Sequence, residues 1–349
     1  MTRLEVGEVS PLTEFQRALE PGRLYVKRPK EALPASTEGR KLRLLSWNIG
    51  RGYQPERIAE TILALQPDIA CLQEVDWNNQ RTGSRDVLQI LAERTGMFGV
   101  WGIEFLELHA PARARRLAGG GATGNAVLSR TLPSASFRIE LPSAVDWQHD
   151  AMNARLPRKV RRRLCGEPRI GARFCIAAEF PFAGTRLVVC SVHFEDKFGG
   201  ASARFRQFHS VVGAIAARGV EDGAAIVVAG DFNTFDSQIA RLVVPDTDAT
   251  ALGRPKGVTE AEWWKRALLP PTGFADPFAA DDWTFRAGPL FRAKLDWIAV
   301  KNAAARECAI GPPSSSDHRP IWVDLEVPLP SEARTSPASL SSRVKARDL

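Results

Sequence analysis

The chain has little of what several common protein classes require. It has only five cysteines (Cys71, Cys165, Cys175, Cys190 and Cys308), an odd number without a single CxxC spacing. That argues against a disulfide framework and a structural zinc site. Cys71 and Cys190 sit inside apolar runs, as small core residues do in a reducing compartment. No stretch approaches the roughly 18 uncharged apolar residues of a membrane span. The first residues, "MTRLEVGEVSPLTEFQRALEPGR", lack an apolar core of the secretory kind, so a cytoplasmic location is expected. The glycine run in "HAPARARRLAGGGATG" (109–124) is not followed by GK[ST], so it is read as a turn rather than a phosphate loop. No internal repeat is evident. Tyrosine is scarce, at 2 residues against 9 tryptophans, which discriminates nothing.

What is present is ordinary globular material: 349 residues, 44% hydrophobic and 25% charged. The net charge of +7 favours anionic partners. Three regions are expected: an extension over 1–39 with little structure of its own, a catalytic domain over 40–328, and a Pro/Ser-rich disordered tail over 329–349. Within the domain, strands and helices alternate. "KLRLLSWN" and "DIACLQEV" read as strands. "PERIAETILAL" places Ile58, Ile62 and Leu65 on one helical face behind Pro55, and "DVLQILAERTG" is a helix closed by Gly96. "RFCIAAEFPFAGTRLVVCSVHFE" reads as two strands around a turn, followed by a helix, and "AAIVVAGDFN" is a buried strand. Hairpins mixed with crossover helices predict an α/β sandwich rather than a doubly wound sheet.

Several of these strands run into polar groups. Asn48, Glu74, His193, Asp231 with Asn233, Asp296, and the pair Asp317–His318 stand at or beside strand ends. Singly, each has a dull explanation: a turn cap, a solvated end, a core salt bridge. Together, they converge on one sheet edge, where α/β folds place ligands. Oxygen ligands from Glu74 and Asn48, with one or two more carboxylates, suit Mg²⁺ or Mn²⁺. No Ser or Cys sits in a nucleophile elbow. Metal-assisted hydrolysis of a phosphate ester fits this inventory best.

The motifs "LSWNIGRG", "DIACLQEVD", "GNAVLSR", "SVHFE", "VVAGDFNTF", "LDWIAV" and "SSDHRPI", in that order over residues 40–328, resemble those of the endonuclease/exonuclease/phosphatase superfamily. The resemblance implies a DNase I-like four-layer sandwich of two mixed β-sheets flanked by helices. It implies Glu74 as the principal Mg²⁺ ligand, with Asn48 beside it and Asp317 assisting. Asp231 would orient or deprotonate the attacking water, Asn233 would hold a phosphate oxygen, and His193 would stabilise the transition-state charge or protonate the leaving oxygen. His318, oriented by Asp296, would contact the phosphate or act as the base. The choice of base between Asp231 and His318 stays open.

"SVHFEDKFGGASARFRQF" is locally similar to tyrosyl-DNA phosphodiesterases and related bacterial hydrolases, with Phe194 in place of their usual Leu. The basic segment 147–171, above all Arg161, Arg162 and Arg163, is a candidate path for substrate phosphates, as are Arg113, Arg115 and Arg116. Trp101 and Trp147 are candidates for base stacking or for core. The expected activity is phosphodiester hydrolysis by a monomer, with nucleic acid placed ahead of small or lipid phosphoesters. A binding module that has lost its chemistry and uses the basic insertion is the alternative of another class.

Overall fold

The computed structural model describes residues 10–34, 40–110, 113–144, 146–147, 166–196, 200–220, 223–234, 253–255, 257–288 and 291–328. Two mixed sheets form its centre. The larger runs in the order β1 (Leu24–Lys27), β4 (Phe98–Glu107), β5 (Ala122–Ser129), β3 (Ile69–Trp77), β2 (Lys41–Asn48), β15 (Ile321–Glu326) and β14 (Ala304–Ile310), with β7 (Arg169–Gly171) also paired to β4. The smaller runs β13 (Asp296–Lys301), β10 (Ala225–Asp231), β9 (Thr185–His193), β8 (Phe174–Phe182) and β6 (Ala135–Glu140), and β11 (Phe285–Ala287) pairs separately with β12 (Phe291–Ala293).

The sheets face each other across a core to which Leu44, Val127, Val189, Val227 and Ile298 contribute. Helices cover the two outer faces. On the larger sheet lie α2 (Pro55–Leu65) and α3 (Val87–Thr95), which bury Ile58, Ile62, Leu88 and Leu91 against Leu45, Trp47 and Leu72. Each such side chain contributes roughly 1.5–3 kcal/mol by leaving water. On the smaller sheet lie α4 (Gly200–Ala217), which buries Phe208, and α5 (Glu260–Trp263), in a cluster with Phe232, Trp264 and Trp297. This is the four-layer α/β sandwich expected from the strand pattern and the resemblance.

Local signals account for the helix ends. Asp86 caps α3 by accepting from the Gln89 amide at 3.0 Å, and Gly96 closes the helix in the left-handed region. The stretch before residue 40 carries more structure than its composition predicts. Helix α1 (Glu14–Ala18) has a Thr13–Gln16 capping box, and β1 pairs antiparallel with β4 at the sheet edge. Residues 329–349 lie outside the described residues. Among the described residues, no helix is long and apolar enough to cross a membrane.

The glycine run is neither a cradle nor a free turn. A Cβ on Gly121 would lie 2.2 Å from the Trp77 carbonyl oxygen, and one on Gly119 would lie 2.4 Å from that of Glu107. Backbones approach too closely there for any side chain.

Candidate active site

Strand register alone brings the polar strand ends together. Asp231, the last residue of β10, lies opposite His193 of parallel β9 and opposite Asp296 of antiparallel β13. The approach is close: a Cβ on Gly230 would sit 1.8 Å from the Val192 carbonyl oxygen, which explains the glycine before Asp231. In the other sheet, Asn48 ends β2 beside Gln73 of parallel β3. The two sheets are joined at this edge by the Asn48 amide, which donates to Asp231 Oδ2 at 3.0 Å. The other Asp231 oxygen accepts from the Asn233 backbone N–H at 2.8 Å. The Asn233 side-chain amide donates to the Phe194 carbonyl at 3.0 Å, from a left-handed backbone with φ 52.

His318 is held from four sides. Its Nδ1 lies 2.8 Å from Asp296 Oδ2, and its ring centroid is 4.8 Å from that of Phe285. Its backbone carbonyl accepts from the Trp47 indole at 3.1 Å, and its backbone N–H donates to Ser316 Oγ at 3.1 Å. Trp47 therefore ties the WN motif to the DH motif. Nδ1 faces a carboxylate, so Nε2 is left toward Asp231, with Oδ2 at 3.7 Å; His193 Nε2 is 3.5 Å from the same oxygen. Burial depresses the His318 pKa, but Asp296 and Asp231 together outweigh it and raise the value to about 10. Both ring nitrogens thus carry protons at pH 7. Burial pushes the Asp231 carboxyl up from its ordinary value, against the opposing pull of His318 and His193.

Glu74 reaches the same edge through backbone strain. The β3–β5 register shifts between Leu72 and Val75, and Glu74 adopts φ 55. A bulge of this kind re-aims a side chain out of the ladder. Burial opposes ionisation of Glu74, yet Arg51, then His193, His318 and Arg173, bring its pKa down to about 2. Its side chain is 29% exposed, and its ion pair with Arg51, at 3.7 Å, is longer than a hydrogen bond. Such an ionised, accessible carboxylate is the donor a hard dication needs. The carboxylates of Asp231 and Asp296 lie within 4.8 Å of each other and of a His318 ring nitrogen, which, being protonated, supplies positive charge there rather than a metal ligand. Asn48 Oδ1 already accepts from the Gly50 amide at 3.0 Å, which leaves it one lone pair. Asp317 is exposed at the rim, with Oδ1 3.3 Å from Ser316 Oγ.

Beyond His193 the cleft continues, with a volume of about 330 Å³ including its open mouth, between Arg51, Arg169, Arg173, Glu104, Glu107 and Thr123. Arg51 ties the ends together: its guanidinium lies 3.7 Å from Glu74, 3.7 Å from Glu107 and 3.0 Å from Glu167. Arg173 pairs with Glu104 at 3.1 Å, and Glu104 is 3.6 Å from His193 Nδ1. Glu107 is buried among Arg81, Arg113, Arg169 and Arg51, which hold its pKa well below the ordinary range despite burial. Arg51, Arg81, Arg113, Arg169 and Arg173 face Asp76, Glu104, Glu107, Glu167 and Glu74, so the arginines and acids of this end are equal in number.

The structure therefore gathers Asn48, Glu74, His193, Asp231, Asn233, Asp296 and His318 at one edge, with Asp317 at its rim. Arg161, Arg162 and Arg163 lie outside the described residues. Arg113 is buried against Glu107 and the Leu108 and Pro168 carbonyls, and so is not a surface phosphate contact. Trp101 and Trp147 are 1% and 3% exposed and act as core rather than as stacking platforms. Sequence reasoning missed Glu104, Glu107, Arg169 and Arg173. The only available signal was a pair of acids interrupting an otherwise apolar strand, "FGVWGIEFLE". It also missed Arg204 and Gln207, which fasten the segment after His193. Arg204 grips Glu260 at 2.9 and 2.6 Å, and Gln207 accepts from the Glu195 amide at 2.7 Å.

Two mixed sheets between helix layers, with these polar groups at one edge, define the DNase I-like class of α/β sandwich. The chain belongs to the Endonuclease/Exonuclease/phosphatase family, a family of phosphoesterases, whose family model matches residues 45–318. An endonuclease/exonuclease/phosphatase from Beutenbergia cavernae superposes with a TM-score of 0.56 at 18% identity, over 82% of this chain and 72% of that one. A family protein from Leptotrichia buccalis superposes at 0.51 with 17% identity, over 82% and 99%. TDP2 of D. rerio, humanised by 14 mutations, superposes at 0.50 with 15% identity, over 82% and 99%. At these identities the likeness concerns the fold. No curated protein matches the sequence.

Proposed function

We propose that the protein is a divalent-metal-dependent phosphodiesterase in which water attacks the phosphorus in line, and that its substrate is a nucleic acid. The reading rests above all on Asp231. Its two oxygens are fixed by Asn48 and by the Asn233 backbone, its pKa is raised by burial, and the imidazoles of His318 and His193 stand 3.7 and 3.5 Å away. A carboxylate so placed can take a proton from water while its neighbours meet the phosphate charge. Mg²⁺ or Mn²⁺ held by Glu74, with Asn48 and Asp317 alongside, would supply Lewis-acid neutralisation of the phosphoryl oxygens.

The raised pKa of His318 favours Asp231 over His318 as the base. An imidazole that holds its proton at pH 7 suits a cationic clamp on a phosphate oxygen, which supports Asp231 as the group that takes the proton from water. Asp296 keeps that imidazolium oriented. His193, between Asp231 and Glu104, is placed to donate to the leaving oxygen. Asn233 holds the segment through Phe194 and fixes Asp231 through its own amide. The net charge of +7 draws polyanions toward the cleft, which favours nucleic acid over neutral or lipid-embedded substrates.

The test is hydrolysis with Mg²⁺ or Mn²⁺ of bis-p-nitrophenyl phosphate, single-stranded and duplex DNA, RNA, a 5′-tyrosyl oligonucleotide, sphingomyelin and inositol phosphates. Metal-dependent turnover of the diesters is expected, fastest on an oligonucleotide. Full activity in excess EDTA, or inertness on every phosphoester, removes the reading.

A further inference from the structure

The arginine end of the cleft holds polar groups that the proposed hydrolysis does not use. Arg169 and Arg173 are each 6% exposed, yet the Nε of each has no hydrogen-bond partner among the described residues. The same holds for Thr123 Oγ1 and His193 Nδ1, and all four residues line the cleft. A buried polar atom without a partner costs about 1–3 kcal/mol. Four around one space point to a ligand rich in acceptors.

Arg169 gives that ligand its chemistry. Its guanidinium stacks 3.5 Å from the Trp147 ring centroid and 4.6 Å from that of Phe105, which fixes the plane of the fork. Its ion pairs to Glu167 and Glu107, at 3.6 and 4.0 Å, are beyond hydrogen-bond reach. Burial and then the neighbouring Arg51 and Arg173 lower its pKa to about 10, against the pull of Glu107 and Glu167. An oriented guanidinium whose Nε has no hydrogen-bond partner among the described residues suits a phosphate held by two parallel hydrogen bonds. The nearby acids do not forbid this. Glu104 is held by Arg173, and Glu107 by Arg81 and Arg113.

We infer that this end of the cleft is a second anion subsite, in which Arg169, Arg173 and Thr123 take a substrate phosphate next to the one being hydrolysed. The inference deepens the phosphodiesterase reading and rests on it. One imidazole separates the two ends: His193 Nε2 is 3.5 Å from Asp231, and Nδ1 is 3.6 Å from Glu104, the partner of Arg173. A chain of nucleotides presents its phosphates in that serial manner, and a lone phosphodiester does not. The preferred substrate is therefore one with two neighbouring phosphates.

The experiment compares the p-nitrophenyl ester of thymidine 5′-phosphate with and without a 3′-phosphate, and a propanediol bisphosphate ester of the same leaving group. In the wild type the second phosphate is expected to raise kcat/KM at least about tenfold, the scale of one charge-assisted hydrogen bond. In Arg169→Gln that ratio should fall toward one, whichever way the absolute rates move. Should that variant fold poorly, Arg169→Lys keeps the charge, loses the fork and should retain only part of the preference. Inorganic phosphate in EDTA should raise the thermal midpoint of the wild type more than that of Arg169→Lys. A preference shown by the nucleotide alone assigns the subsite to a polynucleotide; an equal preference in the propanediol ester assigns it to any organic bisphosphate. Turnover of both thymidine esters with equal kcat/KM overturns the subsite and leaves the phosphodiesterase standing. Turnover of neither overturns the phosphodiesterase itself. An unchanged ratio in both Arg169 variants, or equal phosphate stabilisation of Arg169→Lys and wild type, also overturns the subsite.

Discussion

At the His318 end of the cleft, the central polar side chains meet in short, directional pairs: Asp296 with His318 at 2.8 Å, and Asn48 with Asp231 at 3.0 Å. At the arginine end, charges are shared in a buried crowd, with Glu107 among four guanidiniums and Arg51 among three carboxylates. The first arrangement fixes atoms and proton positions. The second fixes charge density in a low-dielectric volume, where an uncompensated charge is expensive. The ends should therefore respond differently to the same kind of substitution, with loss of turnover at one and loss of stability at the other.

The largest effect should come from Asp231→Asn. The amide can still accept one hydrogen bond but cannot take a proton from water, so turnover per folded molecule should fall by about 10²–10⁴-fold, far more than any loss of folded protein at the assay temperature. Asp296→Asn should follow at about 10²-fold, since an amide can hold the wrong imidazole tautomer. Both are read from steady-state rates beside thermal unfolding. Near-normal turnover in either, or a loss that tracks unfolding, would break the contrast at its catalytic end.

Next comes Asp76→Asn, behind the arginine end. Asp76 accepts two hydrogen bonds from Arg81, both 2.8 Å, and neither side chain is exposed. Removing that charge leaves a buried guanidinium partly uncompensated, at a cost of about 3–5 kcal/mol. Denaturant unfolding should show it as a lower midpoint with an unchanged slope. Per folded molecule, the variant's turnover on a one-phosphate substrate should fall far less than that of Asp231→Asn.

The same contrast explains what could be read in advance. The His318 end lies at or beside the ends of apolar strands, so most of its functional residues stand where a hydrophobic run stops or starts, as in "VVAGD" before Asn233 and "LLSWN" at Asn48. A continuous apolar run with a polar end is local information, and the strands of the sandwich follow from the same runs. The arginine end is assembled from β4, β5, the 50–52 turn and the short strand β7. Nothing local marks Arg169 as different from the arginines before it in the same basic stretch. Its partners come from two distant segments, Phe105 and Glu107 from β4 and Trp147 from the stretch before the basic run. Arg113 fell to the same blindness: its basic neighbourhood suggested solvent, and a buried acid took it inward.

A pH titration sharpens the comparison further. The His318 pKa is raised to about 10 from an ordinary value near 6.5, so the folded state holds this proton more tightly than the unfolded chain. The resulting stabilisation is complete below about pH 6.5 and is lost as the pH rises through about 10. In EDTA, the thermal midpoint of the wild type should fall across that window, and His318→Gln should flatten the fall. Identical pH profiles would mean that Asp296 and Asp231 do not hold a proton on His318.

The smallest effect isolates burial itself. Arg43 grips Asp324 with the geometry of the Arg81–Asp76 pair, at 2.7 and 2.8 Å, and its guanidinium lies 4.0 Å over Trp322. Both side chains, however, are 29% exposed, at the end of β2 opposite to Asn48. Water can solvate whatever is left when one partner is removed, and salt screens the pair while it is intact. Asp324→Asn should therefore cost no more than about 1 kcal/mol, and less in 1 M salt, whereas the cost of Asp76→Asn should change little with salt. Two bidentate arginine–aspartate pairs of similar length then differ chiefly in their access to water, although Arg81 also reaches Glu107 and Arg43 lies over Trp322. Equal costs for the two substitutions would show that fork geometry, rather than burial, sets the strength of these pairs. The arginine end would then lose its claim to be a distinct electrostatic environment.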